Sequence, residues 1–356
     1  MPAARLKEPT FAIFAHDSRQ SLRAGSGRRF TEALGKLSRR KFIGTAAAGA
    51  AGAALVAKAV AGGEGADADG ATKAALNAEP VRIDPSVKRP TDRVSLGRSG
   101  LKVSLVGVGT GSIGYAGHSN QTGLGQAEFT RLMRHAYERG VNFFDLADSY
   151  GSHPFFREAM RGVERASYVL QTKTDSRDAE SARQDVDRFL KELATDYIDS
   201  LIIHCVTADD WTTRYRGVMD VFSEAKRAGK VRAVGVTCHS FGALEAAAAS
   251  DWVQINQVRW NPRAAHMDAE VGAARALFKR MRERGQGMIG MKVVGQGDIV
   301  RGGKALTPAE CFRFQIESGV VDAFVVGVER AEHIDELLGG TQLALDQLGY
   351  RAGAAA

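Results

Sequence analysis

Asp145, Tyr150, Lys173 and His204 are the side chains of this 356-residue chain whose types and spacing best fit acid–base chemistry. Asp145 ends the apolar run VNFFD (141–145), Lys173 ends YVLQTK (168–173) and His204 ends IDSLIIH (198–204), while Tyr150 follows Asp145 by five residues. A phenol with an ordinary pKa of about 10 is a weak proton donor near neutrality. A nearby ammonium favours its phenolate, and a carboxylate beside the ammonium holds that cation in place. Lowering the phenol's pKa by about 2 to 3 takes about 3 to 4 kcal/mol of differential interaction, which a close and partly desolvated pair can supply. A neutral imidazole can donate to an oxygen on which charge develops. Together the four suit protonation of an oxyanion. Singly, a strand-end lysine is usually solvated, a loop tyrosine usually packs, and a lone histidine is usually structural. It is their placement at three consecutive strand ends that gives them weight.

The elements that would position them follow from periodicity. Eight short apolar runs recur: residues 102–109, 141–145, 168–173, 198–204, 231–237, 252–256, 287–293 and 322–328. Between them lie helical faces. Phe129, Leu132, Met133, Ala136 and Tyr137 form one, Val186, Phe189, Leu190 and Leu193 another, and Ala274, Leu277, Phe278 and Met281 a third. Near-continuous apolar strands alternating with amphipathic helices predict a parallel sheet covered on its outer face. Eight such units predict an α/β fold of the (β/α)8 TIM-barrel type, with its chemistry at the C-terminal ends of the strands. An open doubly wound sheet is the alternative. It would carry a GxGxxG turn, which GVGTGSIG (107–114) only approximates, without an acidic residue about 20 positions on.

Ahead of this pattern stands SRRKFIGTAAAGAAGAALVAKAVAGG (38–63). Arg39 and Arg40 followed by a weakly apolar Ala/Gly run, with Ala59-Val60-Ala61 as a small-x-small site, read as a twin-arginine signal peptide. The expectation is therefore a signal at 1–61 with a long n-region, the twin-arginine translocase as partner, and a periplasmic or extracellular location. A stable membrane anchor is not expected, because the run contains Lys58 and consists mostly of Ala and Gly. Residues 62–92 read as a flexible linker, 93–345 as the barrel and 346–356 as a tail. Residues 1–41 hold 10 Lys and Arg against 3 Asp and Glu, and the rest of the chain holds 38 of each. The basic balance belongs to the leader, so nothing favours nucleic acid as a partner. Cys205, Cys238 and Cys311 are too far apart to suggest a structural zinc site.

VSLGRSGLKVS (94–104), NFFDLADSYG (142–151), the Thr172-Lys173 pair and DYIDSLIIH (196–204) are specific in combination. From Arg93 to about Gly340 the sequence resembles the aldo-keto reductase superfamily. The resemblance implies a barrel whose bottom is closed by a short N-terminal β-hairpin at 94–104. It also implies NAD(P)-dependent hydride transfer to a small carbonyl or from an alcohol: an aldehyde, ketone or sugar derivative. The family's catalytic aspartate, tyrosine, lysine and histidine fall on Asp145, Tyr150, Lys173 and His204, with Tyr150 as proton donor. The Ser-Asn pair that holds the nicotinamide carboxamide falls on Thr237-Cys238, and its glutamine partner on Gln257. A thiol cannot replace an amide as donor and acceptor. In place of the aromatic that stacks on nicotinamide stands Met291-Lys292-Val293, where Lys292 could face phosphate. The Lys and Arg that grip the adenosine 2′-phosphate fall on Gly327 and His333, and Glu336 matches an adenine contact. The implied cofactor is NADP or NAD without strong preference. The glycine-rich segment 295–304, with Arg301 and Lys304, could fold over the pyrophosphate or be a surface loop.

Two other classes fit parts of the pattern. Asp145, Asp148, His153 and His204 could form a metal-dependent hydrolase centre, although Lys173 among them would oppose a cation. A cofactor-binding protein of low turnover is the other, against which the intact Tyr150 and Lys173 weigh. Tyr115, Phe155, Trp211 and Trp260 could rim the mouth or simply pack.

Overall fold

The computed structural model describes residues 83–350. The expected signal peptide and residues 62–82 of the expected linker lie outside them. Residues 93–350 run β1 (Arg93–Ser95), β2 (Lys102–Ser104), β3 (Val106–Gly109), α1 (Asn120–Gly123), α2 (Gln126–Glu138), β4 (Phe143–Asp145), α3 (His153–Ala159), β5 (Val169–Thr174), α4 (Ala179–Leu193) and β6 (Ile198–Val206). They continue through α5 (Trp211–Arg214), α6 (Arg216–Arg227), β7 (Val231–Cys238), α7 (Phe241–Ala249), β8 (Ile255–Arg259), α8 (Val271–Glu283), β9 (Gly287–Met291), α9 (Pro308–Ser318), β10 (Ala323–Gly327) and α10 (Ala331–Gln347).

Strands β3 to β10 pair in parallel around a closed barrel, with β10 joined to both β9 and β3. Closure excludes the open doubly wound sheet. All eight apolar runs supply one barrel strand each, but the first divides at Leu105. Its front half pairs antiparallel with β1 as a hairpin, and its back half enters the barrel. The hairpin lies against the N-terminal end of β9: the Arg98 N–H donates to the Gly285 carbonyl at 2.7 Å. Gly97, at φ +46°, leaves no room for a side chain there, since a Cβ would sit 2.4 Å from that carbonyl and from Gly287 N. Val94, Leu96, Leu101 and Val103 plug the opening as buried residues.

The helical faces meet the strands as their spacing requires. Phe129, Leu132, Met133 and Ala136 of α2 are buried, as are Val186, Phe189 and Leu193 of α4 and Ala274, Leu277, Phe278 and Met281 of α8. Asp178 caps α4 by accepting from Ser181 N at 2.9 Å. Both expected edges of the barrel region shift outward. Residues 83–92 are no solvated linker, because Ile83 and Val87 are buried in the core and Asp92 accepts from the Lys88 and Arg89 amides at 2.8 Å. At the other end α10 runs to Gln347 and Tyr350 is buried. Among the described residues no helix is long and apolar enough to cross a membrane.

Candidate active site

At the C-terminal ends of β4, β5 and β6, three consecutive neighbours in the barrel, the structure brings Asp145, Lys173 and His204 together. Lys173 is completely buried. Its ammonium donates to Asp145 Oδ1 at 2.6 Å and to the Leu146 carbonyl at 2.7 Å. Asp145 is satisfied on both oxygens: Gln171 donates to Oδ1 at 2.8 Å and Gln257 to Oδ2 at 2.9 Å. Gln171 stands two residues before Lys173 on β5 and therefore shares its inward face. A polar residue inside an apolar strand was the signal for it in the sequence.

Tyr150 ends a short 3₁₀ turn, Asp148–Tyr150, that follows β4. Its ring passes beneath the loop after β3, where Gly111 and Gly114 make the approach possible. A Cβ on either glycine would fall 2.2 to 2.3 Å from the ring. The phenol oxygen lies 3.4 Å from His204 Nε2, the two rings meet edge to face at 5.6 Å, and the Lys173 ammonium sits 4.9 Å from the Tyr150 ring centre. The turn is anchored by Arg188 of α4, which donates to Asp148 through both terminal nitrogens at 2.7 and 2.8 Å, and to Asp185 at 2.6 Å.

The electrostatics differ from the expectation in one respect. Burial, and then the Asp145 carboxylate, push the Tyr150 phenol well above its ordinary value. Burial likewise lowers Lys173, with Asp145 opposing, and lowers His204, with Asp175 opposing. The site thus holds a protonated phenol beside a neutral imidazole. That is the state in which a tyrosine can give a proton away.

The metal-centre reading is overturned by the same geometry. His153 points away from the mouth, packs edge to face on Phe189, and hydrogen-bonds Glu192 at 2.8 Å and Thr172 at 2.7 Å. Asp148 is held by Arg188, while Asp145 is inside the barrel on Lys173, so the four candidate ligands do not converge.

Around the mouth, two of the cofactor positions carry the mark of an unfilled partner. Thr237 Oγ1, at the end of β7, and Glu336 Oε2, on α10, are buried polar atoms without a hydrogen bond among the described residues. Gly327 at the end of β10 has Ser112 Oγ where its Cβ would be, at 2.1 Å. Burial raises the Glu336 carboxyl, with Arg330 opposing. A hydroxyl at the strand end and a carboxyl on the last helix suit an amide and an adenine amino group, so these residues fit a nicotinamide dinucleotide. The other positions are differently occupied. Gln257 is buried, with its amide nitrogen on Asp145 and its oxygen accepting from Gln171 at 3.1 Å, so it serves the carboxylate. The Cys238 thiol turns to the Ala243 carbonyl. Lys292 takes a left-handed backbone (φ +55°), and its ammonium makes no ion pair among the described residues. Burial and then Arg259 lower it. His333 is buried with the Arg330 guanidinium 3.3 Å from its Nε2, so an arginine does reach the start of α10, from position 330.

Segment 295–304 divides: its first half is anchored by buried Ile299, whose carbonyl accepts from Leu306 N at 2.9 Å, and by Asp298 paired with His266 at 2.8 Å, whereas Arg301 to Lys304 are exposed, with the Arg301 guanidinium against Gly297. Trp211 and Trp260 are core residues, donating to the Ala243 carbonyl and Ser318 Oγ at 3.1 Å, and Phe155 packs on Phe129. Of the four aromatics only Tyr115 is exposed, at 80%. Sequence reasoning missed Gln171, Arg188 and Asp175; Asp175 Oδ1 lies 3.1 Å from His204 Nδ1.

Comparison with known proteins agrees with this geometry. L-galactose dehydrogenase of Arabidopsis thaliana is 28% identical over 154 residues, which is 40% of this chain and 47% of that protein. The NADH-specific methylglyoxal reductase of Escherichia coli is 25% identical over 166 residues, 40% of this chain and 51% of that one. The matched segments thus span about half the length of these curated relatives. The holo form of an aldo-keto reductase from Bacillus halodurans superposes with a TM-score of 0.59 at 17% identity, over 74% of this chain and 98% of that one, which establishes the shared fold. The aldo/keto reductase family profile matches residues 106–309, which contain the four clustered side chains and all eight barrel strands but the last. The chain belongs to the aldo/keto reductase family.

Proposed function

We propose that this protein is an oxidoreductase that transfers a hydride between NAD(P)(H) and a small carbonyl or alcohol, with Tyr150 as the proton donor. The observation that carries this is the Tyr150 hydroxyl poised against His204 at the barrel mouth, above a Lys173–Asp145 pair held at 2.6 Å. When bound, the nicotinamide supplies or accepts the hydride. The residues of the chain do the rest. Tyr150 protonates the nascent alkoxide, Lys173 and Asp145 fix the field beneath it, and Thr237 and Glu336 would hold the two ends of the dinucleotide. The matched relative that is a sugar dehydrogenase supports a small polyhydroxy substrate. The test is a panel of aldehydes, ketones and aldoses with each nicotinamide cofactor, followed by absorbance. Absence of turnover with all of them in both directions, from a protein that binds cofactor, would leave only the low-turnover binding reading.

NADH and NADPH are expected to bind within about tenfold of each other, a gap of about 1.4 kcal/mol. Gly327 and His333 replace the usual cations, and Arg330 is the guanidinium left near the adenosine end. Fluorescence titration checks this. Arg330→Ala should weaken NADPH more than NADH, and a hundredfold NADPH preference that survives the substitution would show that the phosphate is held elsewhere.

The leader extends the proposal to location. Export through the twin-arginine route moves a folded chain, so a nicotinamide cofactor could leave the cytoplasm inside the barrel. The wild-type protein is expected in the periplasm, cleaved and still carrying nicotinamide after gel filtration. Arg39→Lys with Arg40→Lys should keep the precursor in the cytoplasm. Fractionation and mass spectrometry of released small molecules decide both points, and a cytoplasmic, uncleaved wild type would overturn the export proposal.

A further inference from the structure

Successive residues of a strand point to opposite faces, so a regular β6 would turn the Cys205 thiol away from His204. The strand is not regular there. Its pairing with β7 shifts register between Ile203 and Val206, and Cys205 takes a left-handed backbone at φ +52°, a strained conformation for a residue with a side chain. The His239 amide donates to the Val206 carbonyl at 2.6 Å and Arg177 donates to the His204 carbonyl at 2.6 Å, which hold the bulge. As a result Cys205 Sγ, a ring nitrogen of His204 and a carboxylate oxygen of Asp175 all lie within 4.8 Å of one another. Asp175 Oδ1 is 3.1 Å from His204 Nδ1, and His239 Nε2 is 3.8 Å from the Cys205 sulfur. Ser149 Oγ is the hydroxyl beside them, 3.4 Å from Nδ1.

Thiolate, imidazole and carboxylate are the ligand types that borderline-soft divalent ions select. Around a tetrahedral zinc ion, with bonds of about 2.0 to 2.3 Å, such atoms stand about 3.3 to 3.6 Å apart, so these side chains would close on an ion by moving about an ångström. Two anionic ligands also balance a divalent charge. Of the cations nearby, Lys173 and Arg259 are each paired with a carboxylate of their own, Asp145 and Asp268, and Arg177 donates to the Ser176 and His204 carbonyls. Burial lowers His204 and pushes His239 down to about 3, which leaves both rings neutral with a lone pair to give. The second such cluster, Asp148, His153 and Glu192, differs: Arg188 pairs with both carboxylates, and both His153 nitrogens are already hydrogen-bonded.

We propose that Asp175, His204 and Cys205 form a binding site for Zn²⁺, with His239 placed to complete it, and that an ion bound there inhibits the enzyme. The set shares only His204 with the metal centre that the barrel geometry excludes. On binding, the Cys205 S–H bond breaks, its proton leaves to solvent and the sulfur bonds the metal, while His204 Nδ1 and an Asp175 oxygen each displace a metal-bound water; no electron is transferred. Burial raises the Cys205 thiol, so this proton is one that the ion displaces. The bound ion pins the ring whose Nε2 lies 3.4 Å from the Tyr150 oxygen. Inhibition rests on the oxidoreductase reading of the mouth, whereas metal binding does not.

The experiment is absorbance titration of the purified, chelator-treated protein with Co²⁺, followed by displacement with Zn²⁺. Wild type should give a thiolate-to-cobalt charge-transfer band in the near ultraviolet, which Zn²⁺ removes. Cys238 and Cys311 are buried, so Cys205 is the half-buried thiol that supplies it. Cys205→Ser should abolish the band and weaken Zn²⁺, measured by competition with a chromophoric chelator, by about a hundredfold. Asp175→Asn, at a side chain 45% exposed, should keep the band and weaken Zn²⁺ by about tenfold. Zn²⁺ should stop carbonyl reduction by wild type over the range in which it binds, EDTA should restore it, and in each variant the inhibition constant should rise in step with the binding constant. Absence of the band in wild type, a band that survives Cys205→Ser, or a Zn²⁺ affinity unmoved by Asp175→Asn would overturn the site. Zn²⁺ bound without inhibition would overturn its effect on the enzyme. If the metal-free protein reduces no carbonyl, the oxidoreductase reading fails, and the cobalt spectrum still decides the site.

Discussion

Tyr150→Phe is expected to lower carbonyl reduction by about a thousandfold while leaving cofactor affinity and the thermal midpoint close to those of wild type. General acid catalysis contributes about 10²- to 10⁴-fold, and this substitution removes the donor oxygen with almost no change in volume. The ring keeps its place under Gly111 and Gly114, because what those glycines admit is the aromatic body. What is lost is the oxygen 3.4 Å from His204, and no other hydroxyl in the cluster holds that position. Single-turnover absorbance with a carbonyl that wild type reduces is the direct measurement, with fluorescence titration of the cofactor as control. Substantial turnover in the Phe variant would take the proton-donor role away from Tyr150. It would point to water or to Ser149, the hydroxyl on the other side of the imidazole.

Lys173→Met is expected to impair the fold as well as the chemistry. The ammonium is fully buried and donates to Asp145 Oδ1 and to the Leu146 carbonyl. Methionine fills similar space but leaves a buried carboxylate held only by the Gln171 and Gln257 amides. Breaking a buried pair by removing one partner costs about 3 to 5 kcal/mol, since the surviving charge has neither water nor a counterion. Urea denaturation should show a loss of that size, accompanied by near-complete loss of turnover. Adding Asp145→Asn should recover much of the stability and none of the activity, because the double variant buries no charge. A single Lys173→Met variant with an unchanged urea midpoint would mean that water reaches Asp145, and the reading of this pair as a desolvated field would be wrong.

The order and kind of the elements were legible in the sequence because they depend on local repeats. A run such as IDSLIIH is apolar on both faces only if helices cover the outside and packed side chains fill the inside. Eight such runs separated by helical faces leave little choice but closure. The cluster of Asp145, Tyr150, Lys173 and His204 was legible for the same reason: each ends, or closely follows, a run whose direction the parallel barrel fixes. The hairpin at 94–104 was marked by its motif, whereas the division of 102–109 at Leu105 was not, since one apolar stretch serves two sheets in succession.

Only the tertiary structure decided what each of those groups faces. His153 follows Tyr150 by three residues, yet it turns outward to Glu192 and Phe189, because α3 packs against α4 on the outside of the barrel. Gln257 sits on β8, far along the chain from Asp145, and its capture of that carboxylate depends on the barrel interior being narrow enough for side chains of distant strands to meet. The same closure raises the Tyr150 phenol where the residue types alone suggested lowering, since its burial and the nearness of the Asp145 carboxylate are properties of the assembled site. It also brings Asp175 onto His204. Spacing along the chain fixes where a strand ends, but the direction of a side chain across the mouth is set by register, by bulges such as the one beyond Ile203, and by which neighbour reaches it first.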